Sequence, residues 1–189
     1  MSTSASSPAP PQLLTQLGPT TTGQQNLGAL GIRVELAHAQ DASLATLATL
    51  AKQFRLHLKG SSEMVLHMVN VWRCRLLVAR EAVPLLSSTL SWATSRRRHG
   101  RALGARVRLA EFARRAGDAE GAAAHAGRAL ALGETHHAWM QYPGDLYLEA
   151  ALAFDAAGDA VKARRALEAG IDWLRVTLTQ VPPTFRASF

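Results

Sequence analysis

Apolar residues recur at spacings of three and four along most of the chain after its N-terminal segment, and this period is typical of amphipathic α-helices. The first such run places Leu44, Leu47, Ala51, Phe54 and Leu58 on one face. We therefore predict a helix there, with Asp41 or Ser43 as its N-cap and Gly60 as its end.

Two more helices are predicted in the first half of the chain. One opens at the serine pair after Gly60 and carries an apolar face that reaches Val83. Pro84 lacks an amide donor and fits the first turn of a helix, so the next helix is expected to begin near Val83. That helix is expected to end in the basic run Arg96–Arg98, whose cations complement its dipole, and Gly100 is expected to close the turn.

The second half of the chain has the strongest helical pattern. Four helices are predicted, over residues 101–116, 119–132, 146–157 and 160–177. A polar segment, GETHHAWMQYPGD, separates the second of these from the third. Hydrophobic residues make up 48% of the chain but aromatic residues only 6%, so Ala and Leu, which favour helices, supply much of the apolar content. The predicted fold class is all-α.

A repeat links the two halves of this helical region. The segment ARRAGDAEGAAAHAGRAL recurs as FDAAGDAVKARRALEAGI, and the offset between Gly117 and Gly158 is 41 residues. In both copies a Gly-Asp pair separates two helices, where the glycine would take a left-handed turn and Asp118 or Asp159 would cap the helix that follows. Repeats of this length are typical of solenoids, in which each unit buries its face on its neighbours.

These residues resemble the tetratricopeptide family, whose unit is a helix hairpin with small residues where the helices cross. The small positions here hold Ala110, Ala122, Ala129, Ala151, Ala163 and Gly170. The resemblance implies antiparallel hairpins stacked as a short tetratricopeptide-like solenoid, best defined over residues 101–134 and 144–177. The family's unit has about 34 residues, so the loop here is about seven residues longer. Glu134 and Arg175 stand where the family has a closing proline.

The end of the chain, GIDWLRVTLTQVPPTFRASF, is similar to the end of the helical-repeat region of large bacterial ATPase and transcriptional regulators. The matching residues are Val181, Pro182, Pro183, Phe185, Arg186, Ser188 and Phe189. This resemblance implies a scaffold or sensor arm of a bacterial signalling or transcription regulator, or a fragment of one. The sequence has no GxxxxGK[ST] loop, so we do not expect it to carry the ATPase module itself.

The N-terminal residues 1–31 are rich in Ser, Thr, Pro, Gln and Gly. Such a segment buries too little apolar surface to offset its ordering entropy, so we predict a disordered tail, followed by one α-helical repeat domain over residues 32–189. Export signals of bacterial secretion systems have a similar composition. A secreted effector or chaperone-like helical protein is therefore the alternative function. No apolar run is long enough to span a membrane and no secretory signal begins the chain, so we expect a cytoplasmic protein without a membrane partner.

Positive charge is the main feature of the surface, since the formal net charge is +7. Arginine binds carboxylates and phosphates with two parallel hydrogen bonds, so the arginines after the basic run are candidates for contact with a partner. They are Arg101, Arg106, Arg108 and Arg114. The plain alternative is a solvated helix face. No nucleic-acid motif occurs and no aromatic residues alternate with the arginines, so a protein or peptide partner, acidic in one version, is expected rather than nucleic acid.

The polar segment before the third of these helices offers two further candidates. Trp139 and Tyr142 would mark a contact site if they are exposed, or would cover the helix ends if they are not. His136 and His137 are adjacent and tend to point apart, so we expect no metal site there. Motifs for nucleophilic or metal-dependent catalysis, such as GxSxG and HExxH, are missing from the sequence. We expect no enzyme activity, no cofactor and no small-molecule substrate.

Overall fold

The computed structural model describes residues 30–34, 37, 42–59, 61–136 and 143–183. Every regular element within these ranges is helical, which confirms the all-α fold class. The chain divides after Val78 into two compact units, where the sequence analysis expected one domain over residues 32–189.

The helices belong to one unit or the other. The first unit contains α1 (Leu44–Leu58), α2 (Glu63–Arg73) and a short 3₁₀ turn (Cys74–Leu76). The second unit contains α3 (Ala79–Ser95), α4 (His99–Arg115), α5 (Ala119–Thr135), α6 (Pro143–Ala156) and α7 (Ala160–Gln180). Residues 30–34 form a further helical stretch in the first unit.

The first unit is built around apolar side chains from all of its segments. Its buried cluster consists of Leu30, Val34, Ala37, Leu50, Phe54, Leu58 and Val69. Ser43 caps α1, since its hydroxyl oxygen accepts a hydrogen bond from the Thr46 amide at 3.3 Å, as predicted. The alternative cap, Asp41, and the predicted stop, Gly60, lie outside the described residues. Cys74 is a buried free thiol.

The first residues that the structure describes lie at the end of the predicted N-terminal tail. Leu30 and Val34 are 5% and 0% exposed and belong to the buried cluster, so the helical stretch includes the last two residues of the predicted tail of residues 1–31. The apolar spacing of Leu30, Val34 and Ala37 is helical, but the Gly-rich sequence around it obscured the pattern. Residues 1–29 lie outside the described residues.

The predicted break at Pro84 is wrong. Helix α3 begins at Ala79, so Pro84 lies in its second turn and not in its first. A proline there leaves the carbonyl of Arg80 without its usual amide donor. Arg80 and Pro84 are both exposed, so water can hydrate that carbonyl and the helix continues.

The second unit is a run of helices that pack on their neighbours in the chain. Helices α3 to α7 pack in sequence, each on the next, and α4 also packs against α6. The buried cluster between α4, α5, α6 and α7 is dominated by alanine, with Phe154 as its large member. At Gly170 of α7 a Cβ atom would lie only 2.9 Å from Tyr147 Cβ of α6, so the residue must be glycine for these helices to approach this closely.

The two Gly-Asp corners have the predicted geometry. Gly117 and Gly158 have φ values of +82° and +76°, in the left-handed region that favours glycine. Asp118 accepts a hydrogen bond from the Gly121 amide at 2.9 Å, and Asp159 accepts one from the Lys162 amide at 3.0 Å. Each aspartate therefore caps the helix that follows it.

A third corner of the same type joins α3 to α4. Here Arg97 takes the left-handed conformation, with φ +53°, and the Arg98 amide donates to the Ala93 carbonyl at 2.7 Å. The Gly117 corner is closed by the equivalent bond, from Asp118 to Ala113, at 2.9 Å. Gly100, which was predicted to close this turn, lies inside α4, so that prediction is wrong.

Candidate functional site

Two of the predicted contact residues join α4 to α6. The Nη2 atom of Arg108 donates to Asp145 Oδ2 at 2.8 Å, and its Nη1 atom donates to Glu111 Oε2 at 3.0 Å. Its side chain is only 5% exposed. Arg114 donates from Nε and Nη2 to the two carboxylate oxygens of Glu149, at 2.9 and 3.0 Å. Both arginines are therefore engaged within the chain.

The direction of the pKa shift of Arg114 agrees with its hydrogen bonds to Glu149. The hydrogen bonds that Arg114 donates to Glu149 raise the pKa of the guanidinium above its ordinary value, and the charges of Glu149 and Glu111 act in the same direction, against the effect of burial. Glu111 also pairs with Arg115 at 2.8 Å, so it connects two arginines of α4. We call this set of arginines and carboxylates the α4–α6 ion-pair network.

The other two predicted arginines lie in different surroundings. Burial lowers the pKa of Arg101. Burial also lowers the pKa of Arg106, and the nearby charge of Arg128 lowers it further. The Nε and Nη1 atoms of Arg106 are buried, and neither has a hydrogen-bond partner among the described residues.

His125 of α5 shares this environment. Its pKa is lowered by burial first and then by the charges of Arg106 and Arg128, and Asp118 opposes them. Its Nδ1 atom is buried without a hydrogen-bond partner in the described part of the chain. We call Arg106, His125 and Arg128 the α4–α5 cationic cluster. His125 and Arg128 were not predicted, because nothing in the local pattern shows which residues of α5 lie near Arg106.

A groove of about 670 Å³ lies alongside α5, α6 and α7. Helix α6 packs against both α5 and α7, so Leu146, Tyr147 and Phe154 of α6 lie between the other two helices. The remaining apolar lining comes chiefly from Leu103, Leu130, Ala131, Ala166, Ala169 and Trp173. We call this cavity the α5–α7 groove. Phe154 lies at the inner side of the groove, since it also belongs to the buried alanine-rich cluster and is 6% exposed.

One part of the groove is basic. Lys162 lies over the Phe154 ring, with Nζ 5.6 Å from the ring centre, and it pairs with Asp159 at 2.6 Å. Arg165 follows on the exposed side of α7 and also lines the groove. His136, another lining residue, stacks on His99 with ring centres 3.7 Å apart.

Trp139 and Tyr142, the predicted aromatic contacts, lie outside the described residues. Within the described ranges, no three His, Cys, Asp or Glu residues come together in a way that could hold a metal ion. No helix in those ranges has both the length and the apolar character needed to cross a membrane.

Comparison with solved structures shows a likeness in fold. The chain is similar to the crystal structure of BtubC (BKLC) from P. vanneervenii, with a TM-score of 0.58 and 17% sequence identity. The likeness covers 92% of this chain and 73% of that one. No protein-family model matches the chain, and no curated protein matches it either. At this level of identity the likeness shows the fold alone.

Proposed function

We propose that this chain is a non-catalytic protein-interaction module whose α5–α7 groove holds a short segment of a partner polypeptide. The groove is the observation that carries the proposal. Its half-buried residues Leu130, Tyr147 and Trp173 offer an apolar surface that a partner's side chains could cover, and Leu146 and Phe154, each 6% exposed, lie beneath them.

The helix packing and the corners of the second unit also support a protein-interaction module. Alanine-lined contacts, the glycine at position 170 and the Gly-Asp corners are features of tetratricopeptide-like hairpins, and stacked hairpins of this type bind extended peptides and helices. In the version suggested by the end of the sequence, the module is the scaffold or sensor arm of a bacterial signalling or transcription regulator.

The positive charges at one end of the groove indicate which kind of peptide would bind there. Lys162 and Arg165 place two cations beside the Phe154 end of the groove. The proposed ligand is therefore an amphipathic segment with apolar side chains against α6 and an acidic residue near Arg165. Rim charges of this kind act mainly on the rate and the orientation of binding.

The test begins with a library of random peptides displayed on phage, selected against the whole chain. Enriched peptides are then measured against two matched variants. Ala169→Arg places a large cation on an exposed position that lines the groove, whereas Ala124→Arg places the same side chain on an exposed position of α5 outside the lining.

The expected result is enrichment of apolar peptides with an acidic residue, which bind the Ala124→Arg variant as they bind the wild type. Blocking the groove at residue 169 should weaken binding about tenfold or more. Failure to enrich any sequence, or peptides that bind both variants equally, would reject the groove as the binding site. Circular dichroism should show the same helical content for both variants.

A further inference from the structure

The α4–α5 cationic cluster combines Arg106 of α4 with His125 and Arg128, which lie three positions apart on the neighbouring helix α5, and Asp118 is the acidic residue that acts on His125. Burial is the first cause that lowers the pKa of Arg106 and of His125, and the charge of Arg128 lowers both further, joined at His125 by the charge of Arg106. Neither arginine has an ion-pair partner within the ranges that the structure describes. The surroundings therefore favour an additional negative charge at this position.

The burial of Arg106 makes a nearby negative charge still more favourable. Arg106 is half-buried, and two of its three guanidinium nitrogens contact neither solvent nor an acceptor in the described chain. A desolvated cation without acceptors is unfavourable, and an opposite charge nearby is the usual remedy. Arg128 is exposed, so a ligand that approaches from solvent reaches it first.

We propose that Arg106, His125 and Arg128 form a binding site for the carboxylate side chains of an acidic polypeptide segment. The proposal rests on the proposed function in one respect, that the partner is a polypeptide. It concerns a different surface, because none of the three residues lines the α5–α7 groove.

Helix α4 already contains an arginine that binds a carboxylate of the same chain, and Arg106 would reach an external carboxylate through Nη2, the guanidinium nitrogen that is not among its buried ones. Arg114 holds Glu149 through two parallel hydrogen bonds, the geometry in which guanidinium and carboxylate match best. A small cluster of two arginines and one histidine suits one or two carboxylates. Nucleic acid would need a longer row of cations, because typical DNA-binding proteins contact about six to ten phosphates.

Ligand binding should be linked to proton uptake at His125. The charged groups that act on this imidazole are Arg106 from α4, Arg128 from α5 and Asp118 from the corner between them, and no charged group of α6 acts on it among the described residues. A bound carboxylate would oppose the two arginines and raise the pKa of His125. Binding should therefore tighten as the pH falls.

The probe is a hexaglutamate peptide with blocked ends, titrated into the whole chain and followed by NMR of backbone amides and of the His125 ring. The expected result is that Arg106→Gln and Arg128→Gln each weaken binding about fivefold or more. Arg164→Gln, at an exposed arginine of α7, is the matched control and should weaken it less than about twofold. Lowering the pH from about 7.5 to about 6 should strengthen binding to the wild type and raise the pKa of His125 in the complex.

Equal losses in the Arg106→Gln, Arg128→Gln and Arg164→Gln variants would mean that net charge alone attracts the peptide, and would overturn the site. Inorganic phosphate that binds through Arg106 while hexaglutamate does not, or an oligothymidine that binds through it more tightly than hexaglutamate, would overturn the polypeptide ligand. The groove is tested separately, because peptides selected for the groove should bind Arg106→Gln as they bind the wild type. Loss of one kind of binding therefore leaves the other intact.

Discussion

Arg106 and Arg108 lie two positions apart on α4 and have opposite surroundings. Two positions correspond to a rotation of about 200° around a helix, so the two side chains leave α4 on opposite sides. Arg108 pairs with Asp145 and Glu111 in the α4–α6 ion-pair network, whereas Arg106 lies within the electrostatic influence of Arg128 and itself acts on His125 in the α4–α5 cationic cluster.

The difference shows that the positive charge of a helix does not indicate what each of its arginines does. The same residue type holds two helices together on one side of α4 and leaves an uncompensated charge on the other. What decides between these roles is the partner helix. Helix α6 brings carboxylates to α4, and α5 brings further basic groups.

The most direct test of this comparison is to change each arginine to methionine in turn, first Arg108 and then Arg106. Arg108→Met should cost about 2–4 kcal/mol, because Asp145 loses its arginine and Glu111 loses one of two while both stay at the α4–α6 contact. Hydrogen exchange of the α4 and α6 amides measures this free energy locally, which matters because the chain has two units. A cost below about 0.5 kcal/mol, typical of exposed pairs, would contradict a structural role for this pair.

The second pair of the network tests whether charge or packing matters there. Glu149→Ala should cost about 2 kcal/mol, since Arg114 loses both acceptors and Glu149 is largely buried. Changing both partners to apolar residues, Arg114→Met with Glu149→Leu, should restore most of that loss, because no buried charge is left unpaired. The same exchange experiment reads both variants, and a double variant no more stable than Glu149→Ala would argue against this account.

On the other side of α4, the pKa of His125 measures the effect of burial and of the two arginine charges. Its pKa, measured by NMR titration of the ring, should lie below the ordinary 6.5, and Arg106→Gln should return it part of the way, because burial remains as the larger cause. The folded state then binds a proton more weakly than the unfolded state. Stability should therefore fall as the pH drops below about 6.5, and should stop falling below the folded-state pKa of His125.

The smallest effect is expected for Arg106→Met, the counterpart of the first substitution. It should change the free energy of unfolding by about 0.5 kcal/mol or less, because the substitution removes a partly desolvated charge together with its repulsion from Arg128. Hydrogen exchange of the α4 and α5 amides is the measurement. A loss as large as that of Arg108→Met would mean that Arg106 has a stabilising partner and would remove the contrast.

The local features of the fold could be predicted from sequence. The Gly117–Asp118 and Gly158–Asp159 corners carry their own signal, because a left-handed glycine and a capping aspartate act over a few residues. Arg97 adopts the same left-handed conformation without that signal, so its corner was placed at Gly100 instead.

The candidate site depends on contacts that local patterns do not contain. Arg108 and Asp145 are 37 positions apart, and their pairing follows from how α6 lies against α4. The cationic cluster likewise needs the register of α5 on α4, which places His125 and Arg128 beside Arg106. Composition indicated a basic surface with arginine contacts, but only the packing separates the engaged arginines from the uncompensated ones.

The order of helix contacts in the second unit has a consequence for synthesis of the chain. Each helix packs mainly on its neighbour, so α3, α4 and α5 can associate as they leave the ribosome, and the loops that must close are short. Arg108 and Arg114 must stay hydrated until α6 emerges with Asp145 and Glu149. Docking of α6 is then the step that replaces their water with carboxylates, and a shifted register of α6 on α4 would leave both arginines without these carboxylates.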